Sequence, residues 1–215
     1  MVDNDNYSIV TTLTKDRTYT LTGVSDFADW DVDRDFFERA DASDPETLTF
    51  LPMTGMYKVT ANFKHSYLRI EAMKSATELA TLGDDGHGAV YFIGYGIGSP
   101  AAVNEPGWTT EKGVCVPESA PGIYTMTAQA GLEGSTTLGQ RFRVSGWSGK
   151  FFRNRGWDGL GAFTLAPGAE AFFSIAGNGN IEIASGVTLE EGATYRLTLD
   201  VTAGKDNPVL SLVKK

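Results

Sequence analysis

One cysteine, two histidines and 18 basic residues against 27 acidic ones remove several classes of function from this 215-residue chain before any motif is sought. A lone Cys115 permits no intrachain disulfide, and its setting in the apolar run GVCVP marks it as a small buried hydrophobe and not a nucleophile. His65 in a KHS turn and His87 in a DDGHG loop offer little material for a histidine-based triad, and no GxSxG elbow, Walker A loop or HExxH pair is present. A formal net charge of -9 and a pI near 4.7 oppose binding to polyphosphate, so no nucleic-acid partner is expected. No apolar run approaches the roughly 20 residues of a membrane-spanning helix. The start, MVDNDNYSIV, is polar and acidic where a signal peptide is basic and then apolar. A cytosolic protein and a mature chain freed of its export signal both fit.

What is present is glycine, 25 residues of it, and alternation of Thr, Val, Tyr and Phe with almost no 3.6-residue period. That pattern predicts an all-β protein. At 56–63, Tyr57, Val59, Ala61 and Phe63 share one face while Lys58, Thr60 and Asn62 share the other, as in a sheet covered on one side. The phrase TGMYKVTAN at 54–62 returns as GATYRLTLD at 192–200, pairing Tyr57 with Tyr195 and Thr60 with Thr198, and each copy is followed by a further strand-like run. The expected architecture is two tandem β-sandwich, immunoglobulin-like modules, at 1–77 and 86–215, joined through KSATELATLGDDGHG at 74–88, whose early part can form one helical turn. The acidic excursion DFADWDVDRDFFERADASDPE at 26–46 alternates Asp29, Asp31, Asp33 and Asp35. It fails as an EF-hand because Arg34 stands where the turn needs Gly and Ala40 where the bidentate Glu belongs. It is read as the wet side of an edge strand or turn. No metal and no cofactor is expected, and Trp30 is expected to pack the excursion onto the first module.

The segment RFRVSGWSGKFFRNRGWDG at 141–159 interleaves rings with planar multi-donor side chains among four glycines. Trp147 and Trp157 with Lys150, Arg153, Asn154, Arg155 and Asp158 suit a ligand that has an apolar face and a rim of hydroxyls, as a sugar ring has. Trp108, carried by a Pro-Gly turn in NEPGWT, is either a plug at the end of a sandwich or a further platform. The competing reading makes these aromatics core, in which case the chain is a structural or adhesin scaffold for a protein partner. A glycoside hydrolase needs only two carboxylates across a bond, but two small modules leave little chain for a cleft, and no catalytic residue is assigned.

Taken together, YFIGYGIGSPAAVNEPGWT, GIYTMTAQA, QRFRVSGW, FFRNRGW and GNIEIASGVTLEEGATYRLTLDVT make the second half similar to the SusE/SusF-type surface glycan-binding lipoproteins of Gram-negative polysaccharide-utilisation systems. The resemblance covers most of 89–215 and, more faintly, 1–73. It implies β-sandwich modules, no catalysis, an oligo- or polysaccharide ligand held by paired aromatics with nearby Lys, Arg or Asn, and display at the outer-membrane surface beside a transporter. Membrane attachment would run through a lipidated cysteine that this sequence does not contain. The aromatic loop departs from starch-site patterns, so the resemblance does not specify the glycan.

Overall fold

The computed structural model describes residues 5–41 and 43–215. These residues are all-β, about 45% strand, with no α-helix and four 3₁₀ turns of three residues each. Among the described residues, no helix is long and apolar enough to cross a membrane.

The first half contributes β1 (Asn6–Leu13), β2 (Thr18–Thr20), β3 (Asp31–Val32), β4 (Phe37–Asp41), β5 (Asp44–Phe50), β6 (Gly55–Asn62) and β7 (Tyr67–Met73). They form one sheet of order β1-β6-β7-β3 and another of order β2-β5-β4. The second half contributes β8 (Val90–Tyr95), β9 (Val114–Val116), β10 (Glu118–Ala120), β11 (Ile123–Gly131), β12 (Gln140–Arg143), β13 (Ser148–Phe152), β14 (Thr164–Leu165), β15 (Phe173–Ile175), β16 (Ile181–Ile183), β17 (Thr194–Asp200) and β18 (Val209–Lys214). One of its sheets runs β10-β11-β17-β18-β14, with β12 added in parallel to β11, and the other runs β15-β16-β13-β8-β9.

The two echoed phrases occupy equivalent places. β6 lies between β1 and β7, and β17 lies between β11 and β18, each paired antiparallel with the strand that follows it. Both echoed tyrosines are buried and use their hydroxyls on the backbone just upstream: Tyr57 Oη donates to Met53 O at 2.7 Å, and Glu190 N–H donates to Tyr195 Oη at 2.9 Å. A ring can be buried there because its one polar atom is satisfied.

Two hydrophobic clusters fill these sheets, and their division follows from strand alternation. VYFIG at 90–94 is buried throughout, the signature of a strand covered on both faces. Val90 and Phe92 of β8 and Val114 and Val116 of β9 point into the second cluster with Tyr124, Phe142 and Leu197. Tyr91 and Cys115, the residues between them, point the other way and are buried with Phe50, Tyr57 and Leu68 of the first half. Tyr91 Oη donates to Ala80 O at 2.8 Å. The first half therefore packs on the outer face of the β8–β9 sheet and the two cores abut through it.

The acidic excursion departs from the sequence expectation. It holds β3 and β4, which the charges in DVDRDFFERAD had hidden, and Trp30 is buried against Phe27 and Phe63 as expected. Asp33 and Asp35 do not form a wet edge: Asp33 Oδ2 accepts from Arg141 Nη1 at 2.5 Å, and Asp35 accepts the Thr127 N–H, both in the second half. Burial and the neighbouring Asp33 charge push the Asp35 carboxyl up to about 7, against the Thr127 hydrogen bonds and Arg141. Residues 74–78 form a bend closed by Lys74 N–H to Glu78 O at 2.8 Å, without the helical turn that was expected. Among the described residues, no three His, Cys, Asp or Glu side chains converge as metal ligands.

Candidate functional site

β13 sets the geometry of the aromatic segment. Alternation sends Trp147, Gly149 and Phe151 toward the core, and Lys150 and Phe152 away from it. Trp147 is thus a correction to the expected platform. It is 3% exposed, ringed by Phe92, Phe142 and Phe173, and its Nε1–H donates to Arg143 O at 2.7 Å. A Cβ on Gly96 would stand 2.6 Å from its Cγ, so the chain opposite must be glycine for the indole to fit.

Trp157 is the opposite case. After β13 the backbone turns through RNRGWD and returns, closed by Arg153 N–H to Asp158 O at 2.8 Å and by Asn154 Nδ2–H to Asp158 Oδ2 at 2.7 Å. Trp157 sits at this stapled tip, 62% exposed, with Phe152 edge-on at 5.6 Å. Trp108 meets it from a second loop. Gly94 N–H donates to Gly107 O at 2.8 Å, fixing that loop to the end of β8, and Gly107 takes φ of +52° to turn Trp108 outward. Trp108 is 40% exposed and stacks on Trp157 with centroids 6.5 Å and planes 22° apart. The exposed ring pair of this site is Trp108 and Trp157.

This stapled surface, on strands β8 and β13, lies inside a segment that a single family covers: residues 85–202 match the Domain of unknown function (DUF5121). The chain belongs to the DUF5121 family. Residues 1–82 match a second family, Domain of unknown function (DUF5125). No curated protein and no solved structure matches the chain.

Within the DUF5121 segment the remaining expected site residues separate by what they already touch. Arg153 is committed to structure: Nε–H donates to Leu82 O at 3.0 Å and Nη2–H to Asp84 Oδ1 at 3.0 Å. Arg155 is more so, with Nε–H donating to Gly113 O at 3.0 Å, Nη2 ion-paired with the buried Glu71 of β7, and its guanidinium 5.3 Å above the Tyr91 ring. These two arginines tie the loop to the linker and to the first half, which corrects their expected role as free donors for a ligand. Asn154 and Asp158 staple the loop beneath the rings. Lys150 alone keeps an ammonium without a carboxylate, its Nζ donating to Asn178 O at the β15–β16 turn. Tyr95, half exposed and packed under Gly107, is a neighbour that sequence reasoning missed. Its signal was its place as the first outward residue after the buried run VYFIG.

Two concavities are lined in part by residues of the 141–159 segment. One, of about 410 Å³, adjoins Trp157 and is walled by Phe152, Leu160, Phe163 and Ile175 with Lys150 at its side. The other, of about 400 Å³, lies between the halves and is lined by Asp33, Glu71, Glu111, Lys112, Arg141 and Arg155, four of which pair across the seam.

Proposed function

We propose that the protein is a non-catalytic carbohydrate-binding protein of a polysaccharide-uptake system, with the glycan lying on Trp108 and Trp157. Its modules are β-sandwiches of immunoglobulin-like type, at 1–77 and 86–215, displayed at the outer-membrane surface in the manner of the SusE/SusF-like lipoproteins it resembles. The observation that carries the function is the exposed, nearly parallel indole pair on two separately braced loops. Trp157, the more exposed of the two, adds little to folding, and the pair offers apolar faces to the C–H face of a pyranose, while hydroxyls at the ring's rim stay in water. The fixed loops reduce the ordering cost that a shallow site otherwise carries. Behind the module assignment stand the two clusters, each joining the two sheets of its own half, and the paired Tyr57 and Tyr195 hydroxyl bonds, which resemble the tyrosine corner of immunoglobulin-type sandwiches.

A screen of soluble polysaccharides against the wild-type chain and the Trp108→Ala and Trp157→Ala variants tests this. Binding should fall about 5- to 150-fold on loss of either ring, by analogy with the ~1–3 kcal/mol of aromatic–base stacking, with no release of reducing ends. If no glycan binds, or the variants bind as well as wild type, the proposal is wrong. A protein partner is favoured by one separate feature, the uncovered apolar face of β1, where Tyr7 is 65% exposed. Retention of a protein, and of no glycan, would decide for the scaffold reading.

A further inference from the structure

β13 pairs with β16 at Gly149↔Ile181 alone, and its last residue bridges instead to Gly159. Between those two contacts the strands separate, and the 410 Å³ cavity beside Trp157 occupies the gap. Open space adjoins its glycines: a Cβ on Gly159 or Gly177 would meet nothing within 4 Å. Its walls are otherwise aromatic and aliphatic, and Lys150 is the one ionisable side chain that lines it. The ammonium spends one of its three N–H groups on Asn178 O. Among the described residues the ion-paired lysines are Lys74, Lys205 and Lys214, all elsewhere. Arg153 and Arg155, the other cations of this loop, are held by Asp84 and Glu71. In a chain with a net charge of -9, an unneutralised ammonium at the side of a concave site next to exposed rings is a specific arrangement.

We infer that this cavity receives an anionic substituent, a carboxylate or a sulfate ester, of the sugar unit next to the one stacked on Trp157, and that Lys150 is its counter-ion. The inference rests on the carbohydrate reading and adds the ligand's charge to it. The overall negative charge of the protein does not forbid this, because at physiological salt charges more than about 8 Å away are largely screened and the nearest cation dominates.

Matched pairs of probes test it: oligogalacturonate against its methyl ester, and a sulfated galactan oligosaccharide against its desulfated form, each titrated into the full chain. The wild type should bind at least one acidic form about 5- to 10-fold more tightly than its neutral partner in 0.15 M salt, less so at higher salt. Which pair shows the preference tells carboxylate from sulfate. Lys150→Met should abolish the preference with an unchanged melting temperature, Lys150→Arg should keep it, and Trp157→Ala should weaken both members of a pair alike. Equal binding of acidic and neutral forms, or a preference that survives in Lys150→Met, overturns the inference. So does binding of neutral glycans alone, which leaves the ring platform standing. If nothing binds and the Trp variants change nothing, the carbohydrate reading falls and this inference with it.

Discussion

Replacing Trp147 and Trp157 by alanine, one at a time, should have opposite consequences although the two residues lie ten positions apart. Trp147 at 3% exposure loses essentially all of an indole's burial, roughly 240 Å² or ~6 kcal/mol at ~25 cal/mol per Å². That area figure is an upper bound, and large-to-small aromatic truncations in cores cost ~3–5 kcal/mol. The Arg143 carbonyl also loses its donor. Trp157, at 62% exposure, buries roughly 95 Å², at most ~2 kcal/mol on the same scale. For a chain of this size each kcal/mol moves the melting temperature by about 2–4 °C. Trp147→Ala should therefore melt roughly 6–20 °C below wild type, and Trp157→Ala at most about 4–8 °C below it, less than half as far on the area scale. Urea unfolding followed by circular dichroism gives the same comparison in free energy, and acrylamide should quench the fluorescence lost in Trp157→Ala far more readily than that lost in Trp147→Ala. Equal destabilisation by the two substitutions would refute the assignment of one ring to the core and the other to the surface.

Asp35 should make the fold less stable as pH rises. Its folded-state value near 7 lies above the ordinary 3.8, so its contribution is complete below about pH 4 and is lost as pH climbs through 7, at no more than ~1.4 kcal/mol per pH unit. His87, raised by its hydrogen bond to Glu118, acts in the same direction, with stability present below about 6.5 and lost above its folded value. Asp35→Asn should flatten the fall in melting temperature between pH 5 and 7, leaving the His87 part; an unchanged slope would show that Asp35 is not the titrating group. Arg155→Met strips the buried Glu71 of one of its two guanidinium partners and should cost about 3 kcal/mol. It should also lower the single unfolding transition as a whole; two separated transitions would show that the halves melt independently.

The all-β class and the equivalence of β6 and β17 were legible because the chain alternates where one sheet face is wet, whereas β8 runs continuously apolar because both its faces are covered. The strands β3, β4 and β10 are short and carry Asp, Glu or Arg, which give them the composition of loops. Asp33 and Asp35 read as solvated acids because Arg141 and the Thr127 amide stand 108 and 92 residues downstream. At the ring site, proximity in sequence was mistaken for proximity in space. Trp147 and Trp157 share a segment, yet strand parity turns the first inward, while the ring that does meet Trp157 comes from NEPGWT, brought close by a pairing of Gly94 with Gly107 that leaves no mark in composition. The two arginines were assigned to a ligand because their true acceptors, Leu82 O, Gly113 O and Glu71, belong to other parts of the chain.

The outward Tyr91 and Cys115 of the β8–β9 sheet also bear on how such a chain can be reassembled in evolution. The two families divide between residues 82 and 85, but the surface that Tyr91 and Cys115 bury against Phe50, Tyr57 and Leu68 straddles that division. A gene fusion that moved the DUF5121 segment behind a different leading module would arrive with an apolar scar and an unmatched Arg155. The new neighbour would have to supply both a hydrophobic seat and a carboxylate at the position of Glu71. Recombination at this joint is thus restricted to partners that already carry the complementary face, and the two segments should travel through genomes more often as a couple than apart.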